Sequence, residues 1–509
     1  MTIISTASLQ SPLRLVGAAA AILLSIGACS VFEADGPVRI AAIGSLQMDA
    51  TPTKGPLSFA SAAYLDATAQ GLISFDADGQ IEPGLAERWT VTTDGRSYIF
   101  RIREAKWPDG RKVTAQHVAT ILQAYLRPSS RHPLKDDFSE VEDIHAMTDT
   151  VLEIRLRLPQ PLLLELLAQP SMVMIGRSTG WDRGWGPMRV KPHGKALIFY
   201  PAPDPLGEDA DAPNHHSADN DSARTVEMVG VTAPRALARF KNGYAEGVIG
   251  GRFSSLPYFH SSGIARSRLL VDPTSGLFGL NFQQANGFWS IAEHRMALSS
   301  IIRRDRLIEA FGITDWTSQI SLRPAVAERS GLPPPALPTW ASEDDSVRLG
   351  HMQRLIAAWT GLERDIAPLR IALPDSPGAT ILFGYIAADL ARAGISLQRV
   401  AANAAPDLTL IDEVAPNDDI IWPLRRLSCR RDTLCNTAIH DHIALANNET
   451  DNLQRLTLIA DAEADLLREA SFIPLASPLR WSVANLRFTG IRPNARAHHP
   501  LNRMIGEPK

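Results

Sequence analysis

The chain has 509 residues, 45% of them apolar and 21% charged, with a formal net charge of -4. That balance describes an ordinary globular body, long enough for roughly two to four domains that each bury their own core. A charge so close to neutral excludes the basic footprint of a nucleic-acid-binding protein and a strongly electrostatic membrane surface.

The first element is a leader. Arg14 precedes an apolar run from Leu15 to Ile26, closed by Gly27, Ala28 and Cys29. A basic start, an apolar stretch of about a dozen residues and small residues before a cleavage point describe an export signal, and the run is too short to span a bilayer. Residues 1–28 resemble a bacterial lipoprotein signal, in which Cys29 would be lipidated and become the mature N-terminus, with 29–35 as the linker behind it. A plain signal peptide followed by an incidental cysteine is the alternative. No later apolar run approaches the ~18 residues of a membrane span, so the body is expected to work outside the cytoplasm as a water-soluble unit.

Between Tyr64 and Leu122 the chain alternates apolar segments with three Asp-Gly reversals. These are Asp76-Ala77-Asp78-Gly79, Asp94-Gly95 and Asp109-Gly110, where Asp and Gly tolerate the positive φ that a reversal needs. Tyr98 to Arg103 alternates late in its run and predicts a half-buried strand. Thr114 is placed to cap a helix beginning at Ala115.

In order, this region reads Asp-Gly, Pro83-Gly84-Leu85-Ala86-Glu87-Arg88-Trp89, Asp-Gly, Phe100-Arg101-Ile102-Arg103, Lys106-Trp107-Pro108-Asp109-Gly110 and Thr114-Ala115-Gln116-His117-Val118. Taken with Gly184-Trp185-Gly186-Pro187-Met188, Leu280-Asn281-Phe282, His294-Arg295-Met296-Ala297-Leu298, Phe472-Ile473-Pro474-Leu475 and Phe488-Thr489-Gly490-Ile491, it resembles the large extracytoplasmic solute-binding proteins of peptide and nickel ABC importers, across residues 36 to 505. The resemblance implies an α/β, two-lobed type II periplasmic-binding-protein-like fold with an extra inserted domain. Lobe I would comprise 36–62, 184–270 and 476–509, the inserted domain 63–183 and lobe II 271–475, with crossings near Pro273 and Pro474.

It further implies a lipoprotein that captures a peptide or similar small solute and delivers it to an ABC permease and its ATPase subunits, working as a monomer without a cofactor. A nickel or metal-chelate receptor of the same family is the alternative ligand class. In peptide-binding members an acidic residue meets the ligand's amino terminus; here the matching stretch runs from Asp412 to Asp419, with Pro416 at the expected acid. Glu413, Asp418 and Asp419 are therefore the candidates for a cationic ligand group, and Trp422 for an apolar wall.

Of the three cysteines, Cys429 and Cys435 form an even pair in an exported chain, and a local disulfide is the expectation. The acidic and histidine-rich stretch Glu208 to Asp221 lacks the spacing of a calcium loop and reads as a solvated loop. His440 with His442, and the pair His498 and His499, read as surface histidines without metal-site partners. Gly176-Arg177-Ser178-Thr179-Gly180 matches the serine-hydrolase elbow, but Gly184, Gly186 and Pro187 follow where a helix must start. A lipid-anchored hydrolase using Ser178 is thus the minor reading, and no catalytic residue or bound metal is expected.

Overall fold

The computed structural model describes residues 36–176, 181–202, 225–323, 334–429, 434, 436–449 and 451–505. Cys29, Cys435, Ser178 and the Glu208–Asp221 stretch lie outside the described residues. In chain order the strands are β1 (Val38–Ile43), β2 (Ile73–Phe75), β3 (Ile81–Pro83), β4 (Ala86–Val91), β5 (Ser97–Ile102), β6 (Val141–Thr148), β7 (Val151–Leu156), β8 (Met188–His193), β9 (Ala196–Pro201), β10 (Val226–Val231), β11 (Gly247–Arg252), β12 (Leu269–Val271), β13 (Gly276–Phe282), β14 (Leu369–Ala372), β15 (Leu397–Val400), β16 (Leu408–Val414), β17 (Phe472–Ala476) and β18 (Arg480–Ala484).

Three sheets carry the architecture. A seven-stranded sheet runs β12-β18-β11-β1-β10-β9-β8, a five-stranded sheet β15-β14-β16-β13-β17, and a four-stranded sheet β4-β5-β7-β6. Parallel pairs at the centre of the first sheet, β1 with β10 and with β11, need both faces covered. Accordingly β1 reads Val-Arg-Ile-Ala-Ala-Ile with Ile40, Ala41 and Ala42 fully buried. The four-stranded sheet is wholly antiparallel, and β5 buries alternate residues Tyr98, Phe100 and Ile102, as the alternation predicts. All three Asp-Gly reversals form, with Asp94-Gly95 joining β4 to β5, Asp76 to Gly79 joining β2 to β3, and Asp109-Gly110 turning between β5 and the next helix. Asp76 Oδ1 accepts from the amides of Asp78 and Gln80, both at 2.9 Å, and Gly79, Gly95 and Gly110 all adopt positive φ. Thr114 caps the helix Ala115–Leu126 by accepting from the amide of His117 at 3.3 Å.

The chain passes between the seven- and five-stranded sheets twice, at residues 272–275 and 477–479. Pro273 lies in the first crossing, whereas Pro474 sits inside β17, so the second crossing falls three residues later than expected. The crossings are fastened to each other and to the C-terminal segment. Thr274 donates its hydroxyl to the carbonyl of Pro478, and Trp316 Nε1 donates to the carbonyl of Ser477 at 2.8 Å. The carboxylate of Asp272, buried at 6% exposure, accepts from the Asn494 amide at 3.1 Å and lies 3.4 Å from His499 Nε2. Behind the crossings the two sheets share an apolar cluster, in which Phe253 beside the first sheet meets Phe278 of β13 at a ring separation of 4.8 Å. The two sheets are thus joined by a packed apolar contact and two short connecting segments.

Asp272→Ala removes the acceptor of the buried Asn494 amide, which costs desolvation energy when left unpaired, while His499 Nε2 keeps Ser482 Oγ at 3.3 Å. The expected loss is about 1–3 kcal/mol of unfolding free energy, read as a lower urea midpoint with unchanged slope.

Candidate functional site

A cleft of about 1390 Å³ opens between the sheets, at the upper end or beyond the ~300–1,000 Å³ of pockets for single drug-sized molecules. Its walls come from every unit of the fold. Phe59, Ala62 and Phe75 supply apolar surface near the first sheet, the loop Pro128–Asp137 comes from the four-stranded unit, and Asp412, Glu413, Trp422, Arg425 and Arg426 come from the five-stranded side. Gly250, Arg252, Arg480, Arg496 and His498 close the back.

The residues expected from the sequence fall here with differing roles. Trp422 lines the cleft and is 3% exposed, at the start of the helix Trp422–Leu427, where Pro423 tolerates the missing donor of a first turn. Glu413 also lines the cleft, and both its oxygens accept from Arg426 at 2.8 Å. Asp418 and Asp419 stand just outside the lining. Asp419 accepts from Arg425 Nη2 at 2.5 Å and, through its other oxygen, from the Ile421 amide at 3.2 Å, fixing the entry to the helix. Asp418 pairs with Arg496 Nη2 at 2.9 Å. That same nitrogen reaches Glu165 Oε2 at 2.9 Å, and Glu165 also accepts from the Asp418 amide at 3.0 Å. Together with Gln169 Nε2, which donates to the Pro416 carbonyl at 2.6 Å, this network ties the four-stranded unit to the loop after β16. Burial pushes the Glu165 carboxyl up, and the Arg496 charge acts against that shift.

Each of the three acidic candidates thus holds an arginine. The signal was present as Arg425-Arg426 one turn beyond Trp422-Pro423, but nothing local says which carboxylate each guanidinium meets. Arg252 and Arg480 carry a second missed signal. Gly250 and Gly251 precede Arg252 at the end of β11, and glycine inside a strand marks a bulge or a close approach. Here it marks both. The β11–β18 register shifts between Val248 and Gly251, and a Cβ on Gly251 would lie 2.1 Å from the Trp481 ring, one on Gly250 2.5 Å from Phe59.

The histidine pair departs from expectation. His498 and His499 are buried rather than surface residues, because the C-terminal segment folds back under the crossings. His498 Nε2 lies 3.4 Å from Asp66 Oδ2, and His499 from Asp272. His442 Nδ1 meets Asp465 at 3.0 Å, while His440 lines the cleft. Cys429, also on the cleft wall, is disulfide-bonded. Among the described residues no group of three His, Cys, Asp or Glu side chains could hold a metal ion, and no helix is long and apolar enough to cross a membrane.

The family model for bacterial extracellular solute-binding proteins, family 5 (middle), matches residues 80–398. The chain belongs to that family. Curated relatives match over shorter stretches: the glutathione-binding protein GsiB of Escherichia coli K12 is 28% identical over 133 residues, 26% of this chain and 24% of its own. The nickel-binding periplasmic protein of the same organism is 31% identical over 100 residues, 19% of each chain. The matched stretches thus span about a quarter or less of those relatives. Among solved structures, Haemophilus influenzae OppA in complex with RPPGFSPFR superposes at TM-score 0.75 with 16% identity, covering 92% of this chain and 98% of OppA. The E. coli murein tripeptide binding protein MppA gives 0.75 with 18% identity over 93% and 98%. Campylobacter jejuni NikZ in complex with Ni(L-His) gives 0.68 with 17% identity over 91% and 97%. The fold of this family 5 member is therefore the two-lobed α/β type of the periplasmic binding proteins, with the four-stranded unit as the extra domain.

The buried pair Asp66 and His498 makes a pH prediction. Burial, helped by Glu82, pushes the Asp66 carboxyl up to about 7, and burial, helped by His499, pushes the His498 ring down to about 3. Both shifts favour a folded pair that is uncharged, with the carboxyl protonated and the ring neutral. An acid raised this way loses stability as pH rises from about 4 to about 7, and a histidine lowered this way loses stability as pH falls from about 6.5 to about 3. Across about pH 4 to 6.5 the two slopes oppose each other. Asp66→Asn is expected to leave the histidine slope, and His498→Gln the aspartate slope, each up to about 1.4 kcal/mol per pH unit. Chemical denaturation of both variants at pH 4, 5 and 6 would read the opposite signs; two flat profiles would refute the uncharged pair.

Proposed function

We propose that this family 5 protein captures a peptide or a similarly small solute between its two lobes and delivers it to the permease and ATPase subunits of an ABC importer. The observation that carries the reading is a cleft of about 1390 Å³ walled by all three sheet-bearing units and backed by only two crossings. Few crossings let each core stay packed while the lobes rotate, and a ligand favours the closed arrangement by binding it more tightly than the open one. Residues 36–62, 184–270 and 476–509 act as lobe I, 63–183 as the inserted domain and 271–475 as lobe II. Trp422 serves as apolar wall. Glu413, Asp418 and Asp419 act through Arg426, Arg496 and Arg425, which they hold in place.

The protein works as a monomer on the outer side of a membrane, anchored through lipid on Cys29, and Cys429 pairs with Cys435. It is not an enzyme on this reading: Ser178 stands in no motif context that would activate it.

Native mass spectrometry of the full chain purified without added ligand is expected to show a retained small solute at one per chain, and Ser178→Ala is expected to keep it unchanged. A Ser178-dependent conversion of that solute would favour the hydrolase. Cys29→Ala is expected to move the protein from the membrane to the soluble extracytoplasmic fraction, because several acyl chains on one cysteine give stable attachment and losing them leaves none. A variant that stays with membranes would place the anchor elsewhere.

A further inference from the structure

The back of the cleft places two arginines face to face. Arg252 of β11 and Arg480 of β18 are direct partners in the antiparallel register, so their Cβ atoms stand about 5 Å apart on the same face. Like charges at such a position destabilise a sheet. Only one of the two is matched. Arg480 donates to Asp412 Oδ1 at 2.7 Å and to the Asp412 carbonyl at 3.0 Å. Arg252 has no side-chain hydrogen bond or ion pair among the described residues, although its side chain reaches into the cleft.

Its backbone, by contrast, is held on every side. The Arg252 amide donates to Ser255 Oγ at 3.2 Å, and its carbonyl accepts from Trp481 Nε1 at 2.9 Å and from Ser255 Oγ at 3.1 Å. Gly250 and Gly251 lie flat against Phe59 and Trp481, where no larger residue fits. The fold therefore aims one unmatched guanidinium at the cleft from a fixed base. Desolvation and then the charge of Arg480 lower the pKa of that guanidinium, and the Asp412 carboxylate acts against them.

Most carboxylates of the cleft are engaged. Asp412 is matched by Arg480 and Glu413 by Arg426, Asp136 and Asp137 have partners of their own, and Glu140 faces Arg157 at 3.9 Å. A ligand ammonium at Asp412 or Glu413 would compete with an arginine already there. Donors, however, remain: beyond Arg252, Arg496 is 7% exposed in its side chain and keeps Nε and Nη1 without a hydrogen-bond partner.

Resting on the reading of the protein as a solute receptor, we infer that its ligand carries a carboxylate or phosphate group and that Arg252 receives that group at the back of the cleft. A planar guanidinium offers such an oxyanion two parallel hydrogen bonds, and Arg480, locked on Asp412, adds positive field without moving. The same group would relieve the repulsion between Arg252 and Arg480, so ligand binding and stability at this register are linked. The acidic segment after β16 then orients arginines around the ligand and does not itself meet an amine.

The test uses the full chain, stripped of retained solute by denaturation and refolding, and a panel of probes in matched pairs. Di- and tripeptides are paired with their C-terminal amides, dicarboxylic acids with their diamides, and sugar phosphates with the free sugars. Thermal shift finds the binders and calorimetry measures them. The acid of each binding pair is expected to exceed its neutral counterpart at least tenfold, the peptide and phosphate arms telling which oxyanion fits. Arg252→Gln is expected to weaken the acids roughly tenfold to a hundredfold, to erase the preference over the neutral partners, and to leave the ligand-free melting temperature equal or higher. Arg252→Lys, which keeps the charge but not the fork, is expected to fall between. A neutral or cationic probe that binds as well as its acid, or acid binding untouched in Arg252→Gln, would overturn the assignment of Arg252 alone. If no probe binds and the purified chain retains no solute, the receptor reading fails and the assignment falls with it.

Discussion

The buried carboxylate of Asp272 ties the first crossing to the C-terminal segment. The residue sits where the chain first leaves the seven-stranded sheet, and its carboxylate accepts from the Asn494 amide and faces His499. One side chain thereby locks a crossing to the C-terminal segment. The segment in turn carries Arg496 and His498 into the cleft, and the second crossing is bound to the first through Thr274 and Pro478. Both crossings are thus fastened on one side, with a shared apolar cluster of Phe253 and Phe278 behind them. The cleft opens beside them, with Arg252, Arg480, Arg496 and His498 in its lining.

Electrostatics then decides what the cleft can receive. Its walls are rich in arginine, but most of that charge is already satisfied by neighbouring carboxylates: Asp412 by Arg480, Glu413 by Arg426 and Asp419 by Arg425. Such pairs at a half-buried surface add little net stability. What they do well is fix direction, because a guanidinium held at one edge presents its remaining donors along a defined line. The cleft is consequently a surface of oriented donors, with Trp422 and Phe59 as apolar patches between them.

Much of the fold was legible in the sequence where the determinants are local. Asp76, Asp94 and Asp109 form reversals because each carboxylate can bond amides two residues ahead, a contact that needs no tertiary structure. Thr114 caps its helix for the same reason. The order of these short motifs carried the resemblance to family 5, and with it the expectation of two lobes. The site was less legible. Glu413, Asp418, Asp419 and Trp422 were singled out and do stand at or beside the cleft, but their partners are set by tertiary packing. Arg252 faces Arg480 only because β11 and β18 pair across nearly half of the chain. His498 and His499 read as exposed because two adjacent polar residues near a terminus usually are, yet the C-terminal segment runs beneath the crossings and buries both. Periodicity cannot report that path, since the segment from Arg492 onward forms no long element.

The function proposed for this protein requires two lobes that rotate about the fastened crossings and close on a solute. Small-angle X-ray scattering compares the refolded, solute-free chain with the same chain carrying its retained solute, and reads this motion directly. A smaller radius of gyration in the loaded state, reversed when the solute is removed, is the result predicted. Identical scattering from the two states, with binding confirmed in the same samples, would contradict it.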